Sequence, residues 1–201
     1  MNLLTGVSCL PWYSTSYIDD SVPFGPFSSS GGGIGTYDVL GTSSTVVSED
    51  SNQQFQDIYN AFSLLVEKEK IRWRRILSRL SQAKRREQIE DKILDLGISL
   101  EMMLLDDNKN SAQLSLSFRL RGTWLISNND VERLENYNVL RDIYDYRSQV
   151  AHTGLLEKGD SSKIVTLKES LGRYQEVAEK IGRRLLIGGK PDWNKLLLGF
   201  L

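Results

Sequence analysis

The segment LRDIYDYRSQVAHTG, Leu140 to Gly154, decides how the chain is read. Wound as an α-helix at about 100° per residue, it gathers Leu140, Ile143, Tyr144, Arg147, Val150 and Ala151 into one arc. Arg147 stands near the middle of that arc, on the oily side. His152, the only histidine in 201 residues, lies off it on a stripe with Arg141, Asp145 and Ser148. Ser148 and His152, four apart, face the same way. Arg147 and His152 differ by about 140° on an ideal helix.

The same period runs through everything after residue 50. From Ser51 to about Arg86, apolar residues recur at Phe55, Ile58, Phe62, Leu65, Val66, Trp73, Ile76, Leu77 and Leu80, the spacing of one helix face. A second helix is expected over about Glu87–Leu105, with the dense run ILDLGISLEMMLL, and DDNKNS at 106–111 breaks it. A third covers about Ala112–Ile126. SNND at 127–130 supplies caps for a fourth, Asp130 to about His152, and Glu132 and Glu135 favour its first turns. After the loop TGLLEKGDSS a fifth spans about Ser162–Leu186, closed by GGKP before a short amphipathic tail, DWNKLLLGFL. These periods predict an all-α domain over 51–201, a bundle of four or five helices.

Residues 1–50 are of a different kind. They hold three of the four prolines, seven of the sixteen glycines and fifteen Ser or Thr, including SSSGGGIG at 28–35. Such composition predicts a flexible or extended arm, irregular for most of its length, although its aromatics and VLGTSSTVV leave short strands open. GGGIG lacks the strand, the helix and the following Lys of a phosphate loop. The arm has five acidic residues and no Lys or Arg, whereas the remaining 151 residues carry 25 basic against 21 acidic, a net of +4. The lone Cys9 makes no internal disulfide, and no apolar run reaches membrane-spanning length. A soluble cytoplasmic protein without a metal or other cofactor is expected.

A guanidinium keeps its proton, so an arginine on an apolar face needs a carboxylate, a phosphate or a subunit seam. Glu101, which interrupts an apolar run in the same manner, is the candidate for a structural ion pair. The competing reading is a phosphate-gripping arginine beside a general acid or base, and spacing leaves both open.

The segment from about Ile89 to Gly154 resembles the HEPN superfamily, in particular its ApeA-like branch. The resemblance rests on ISLEMMLL, on LSLSFRLRGTWLI, and above all on LRDIYDYRSQVAHTG. The superfamily signature is Arg, a polar residue, then three to five more before His; Arg147, Ser148 and His152 match it. Ser148 follows the ApeA-like form, the commoner polar residue being Asn. Residues 1–50 do not look like the larger N-terminal domain that ApeA-like proteins often carry. The resemblance implies an all-α domain that commonly dimerises, and metal-independent endoribonuclease activity in toxin, abortive-infection or antiviral systems.

Such chemistry activates the ribose 2′-OH against the adjacent phosphorus, leaving a 2′,3′-cyclic phosphate and a 5′-hydroxyl. One group takes the 2′ proton, another protonates the leaving oxygen, and a cation meets the phosphoryl charge. Histidine suits the proton roles and arginine the third. One chain has one histidine, so a two-histidine mechanism implies a homodimer pooling two His152 and two Arg147. Ser148 would orient the imidazole or bind phosphate. Tyr144 and Tyr146 are expected to pack in the core, and Asp142 and Asp145 to lie at the surface. Along the first long helix, Lys68, Arg72, Arg75, Arg79 and Arg86 fall within about 60°, a stripe suited to an RNA backbone or to pairing with neighbouring acids. GRRLL at 182–186 is a smaller basic spot. The alternative function is a non-catalytic HEPN-like module that binds a partner protein or RNA; an antitoxin or other regulatory partner, or the acidic arm itself, would control either.

Overall fold

The computed structural model describes residues 49–106, 113–156 and 161–199. Residues 1–48 of the N-terminal arm, most of DDNKNS and part of the loop after Gly154 lie outside them. Among the described residues the chain is all-helical, with seven helices: α1 (Glu49–Ser63), α2 (Glu67–Arg85), α3 (Ile89–Leu104), α4 (Leu114–Ile126), α5 (Asp130–Thr153), α6 (Ser161–Gly188) and α7 (Trp193–Leu197).

The single helix expected over 51–86 is two. Val66 is extended, with φ −66° and ψ 154°, and serves as the N-cap residue of α2. Glu67 and Glu69 then fall in a first turn, where the partial positive charge of the helix end favours them. The apolar spacing hid the break because Phe62 and Leu65 still pack on the core, while Leu64 and Val66 are 87% and 68% exposed. The interruption changes partners: α1 packs against α6, and α2 chiefly against α3.

The core is built from one face of each helix. Trp73, Ile76 and Leu80 of α2 meet Ile93, Leu96, Leu100, Met103 and Leu104 of α3, with Phe118, Leu140, Ile143, Tyr174, Val177 and Ile181 from α4, α5 and α6. Burial raises the Tyr174 hydroxyl to about 12, with Asp142 and Tyr146 adding to it. The helix α3 touches α2, α4, α5 and α6 and is the hub of the bundle. The expected amphipathic tail is α7, whose Trp193 and Leu196 are buried and whose Asp192 accepts bonds from the Asn194 and Lys195 N–H groups.

Helix α5 begins where SNND places it. Asn129 accepts from the Glu132 N–H at 2.9 Å, and Glu132 accepts in return from the Asn128 N–H at 2.9 Å. The first bond satisfies a donor that the helix start leaves open, and the second ties the residue before the cap to the first turn. The bond from Asn128 chiefly holds the Glu132 carboxyl below its usual range. At the other end Gly154, with φ 73°, closes the helix in the left-handed conformation. Between the two, buried Asn136 donates to Ser127 Oγ at 2.9 Å and accepts from Arg173 of α6 at 3.2 Å.

Candidate functional site

Helix α5 packs on α3, and the closest approach is at Gly97. A Cβ there would lie 2.7 Å from Arg147 Cβ and nearer still to Arg147 Cγ, so only glycine leaves room for the arginine stem. One turn along α3 stands Glu101, whose Oε2 accepts from Arg147 Nη2 at 2.5 Å. Gly97 and Glu101 thus form a seat and a hook for one side chain. The two side chains are 26% and 23% exposed, and Arg147 Nε is buried with no hydrogen-bond partner. Burial pushes the Glu101 carboxyl above its usual value, and the neighbouring Arg147 charge only partly opposes this.

His152 lies on the last turn of α5, exposed, with no hydrogen bond or ion pair among the described residues. Ser148, one turn earlier, is half-buried. Arg147 faces α3 while His152 faces solvent, as the 140° separation expects. Within one chain the structure brings Arg147 to Glu101 rather than to His152. Tyr144 packs on Phe118 with ring centroids 5.3 Å apart, and Tyr146 also lies against the core. Asp142 is half-exposed and accepts two bonds from Arg141, at 3.0 and 3.1 Å; Asp145 is exposed.

The five basic residues of the expected stripe have different surroundings. Lys68 and Arg75 are exposed and make no ion pair among the described residues. Arg72 donates to Glu69 at 3.1 Å and to the Met102 carbonyl at 2.6 Å, and pairs with Asp106 at 2.9 Å. Arg79 and Arg86 share Asp95, at 2.6 and 3.1 Å, one on each carboxylate oxygen. Three of the five therefore tie α2 to α3 or its end, although Arg79 and Arg86 each keep nearly half of the side chain in solvent.

Asp95 and Gly97 escaped the reading of the sequence. The signal for Asp95 was the one that picked out Glu101: an acid inside ILDLGISLEMMLL. Six residues apart, the two carboxylates point about 120° apart, one toward α2 and one toward α5. No group of three or more His, Cys, Asp or Glu side chains is placed to hold a metal ion among the described residues. None of their helices is long and apolar enough to cross a membrane. In comparisons with known proteins, no family model, curated protein or solved structure matches the chain.

Proposed function

We propose that the helical domain, residues 51–201, is a HEPN-like bundle acting as a metal-independent endoribonuclease in a toxin or anti-phage defence system. The observation that carries this reading is the end of α5. A glycine-closed terminus presents an exposed His152 one turn beyond Ser148, on the helix that also carries Arg147. In the proposed homodimer, the two α5 ends meet across the two-fold axis. One His152 takes the 2′-OH proton, the other protonates the leaving 5′ oxygen, Arg147 meets the phosphoryl charge, and Ser148 orients an imidazole or the phosphate. Lys68 and Arg75, with the exposed parts of Arg79 and Arg86, offer the RNA backbone a positive track; Arg72 sits at its inner edge. The protein would act in the cytoplasm, held in check by an antitoxin, another regulatory partner or its own acidic arm.

The test is RNA cleavage in EDTA by the full chain beside His152→Ala and Arg147→Ala, with folding followed by circular dichroism. Cleavage leaving 2′,3′-cyclic ends is expected for the parent, and each substitution lowers it by about a hundredfold or more while the fold persists. An inert parent, or variants that cut as well as it does, would sink the catalytic reading.

One observation favours a second reading, the non-catalytic HEPN-like module binding a partner protein or RNA. Arg147 already has a carboxylate partner in Glu101, as a structural ion pair requires. In that reading His152 is a helix-terminal residue, and substituting it leaves binding unchanged.

A further inference from the structure

We infer that Glu101 is a built-in competitor for the anion that Arg147 holds: its carboxylate occupies the Nη2 edge of the guanidinium and opposes the approach of an RNA phosphodiester there. The inference rests on the RNA reading of the site given above. Four observations carry it. A guanidinium has five N–H donors, and among the described residues Arg147 uses one, toward Glu101. Its Nε is buried without a partner, so the head sits in a half-finished set of bonds. About a quarter of each side chain remains open to solvent, so the pair can be reached from outside. The stem is fixed by the close approach to Gly97, so releasing the carboxylate frees the head without moving the backbone that carries it.

The neighbouring pair on the same helix shows what a permanent tie looks like. Asp95 is nearly sealed from water and uses both oxygens, each on its own arginine. Glu101 uses one oxygen on one arginine, and its burial is only partly compensated by that partner. A carboxylate and a phosphate on one guanidinium repel each other, so each weakens the other's hold on Arg147. The latch would keep Arg147 aligned when no RNA is bound and disfavour weakly binding anions.

The experiment uses the full chain carrying His152→Ala, which prevents cleavage and leaves the α3–α5 pair in place. Binding of a fluorescein-labelled single-stranded RNA is read by anisotropy in EDTA. Adding Glu101→Gln is expected to tighten binding about fivefold, the equivalent of one modest ion pair. Adding Arg147→Ala to that protein should abolish the whole gain. If Glu101→Gln binds no better than its parent while Arg147→Ala binds worse, Arg147 holds RNA, Glu101 merely positions it, and the latch is wrong. If Arg147→Ala alone leaves binding unchanged, Arg147 does not hold RNA and the RNA reading of the site falls with the latch. Circular dichroism melts accompany every variant. Should Glu101→Gln fail to fold, Glu101→Met, similar in length and uncharged, is judged by the same outcomes.

Discussion

Two carboxylates on α3, Asp95 and Glu101, hold arginines from the helices on either side, and they do it differently. Asp95 is 4% exposed and bonds Arg79 and Arg86 through separate oxygens. Glu101 is 23% exposed, bonds Arg147 through one oxygen, and leaves Arg147 Nε without a partner. A buried charge is tolerated only when its bonds are complete, so Asp95 behaves as a fastener. An incomplete, partly open pair holds less strongly and exchanges more readily, which suits a group that must also meet a substrate.

The largest expected effect tests the fastener. Asp95→Ala should destabilise the fold by about 3 kcal/mol in a urea titration. That is the low end for breaking a buried pair, because Arg79 and Arg86 are nearly half exposed and return to water. A loss below that of an ordinary surface substitution would erase the contrast. Next, Gly97→Ala should cost about 2 kcal/mol, since the new methyl meets the fixed stem of Arg147 and the helices must part. A melting curve identical to the parent's would show that the seat yields.

Glu101→Gln should do less, and its effect should depend on pH. The Glu101 carboxyl titrates above its ordinary value in the fold, so the folded state favours the protonated form. Its contribution is therefore complete below the ordinary carboxylate pKa and is lost as pH rises through the raised one. Parent and variant should melt together at the acid end. Above the ordinary value near 4.5, Glu101→Gln should become the more stable of the two. A parent that gains on the variant as pH rises would mean that Arg147 more than repays the burial, and Glu101 would then resemble Asp95. The smallest effect is expected for Arg75→Ala. It should stay within about 0.5 kcal/mol of the parent in stability and show any loss only as a shallower salt dependence of RNA binding.

Much of the architecture was legible because helical periodicity survives wherever one face is buried. The caps at Asn129 and Gly154 and the Trp193 tail follow from local chemistry. The break at 64–66 was hidden because Phe62 and Leu65 keep the apolar rhythm across it. Glu101 stood out as an acid in an oily run and was matched to the one arginine equally misplaced on its own helix. Asp95 carried the same signature, but its partners Arg79 and Arg86 read as members of a surface stripe, since sequence spacing cannot say which side of a helix edge is covered. Gly97 gave no signal at all. A glycine within a helix reads as a weak point until the neighbouring side chain that needs its space is known. Residues 1–48 of the arm, with its aromatic residues and three of its five acids, lie outside the described residues, and the last two acids, Glu49 and Asp50, open α1.

The break between α1 and α2 has a mechanical consequence. Because α1 rests on α6, while α2 is fastened to α3, a pull on the chain at Glu49 is borne first by the α1–α6 contact. Leu64 and Val66, exposed on either side of core-packed Leu65, link that contact to the Asp95 fastener. Force from the arm would peel α1 away before any strain reached the seat of Arg147.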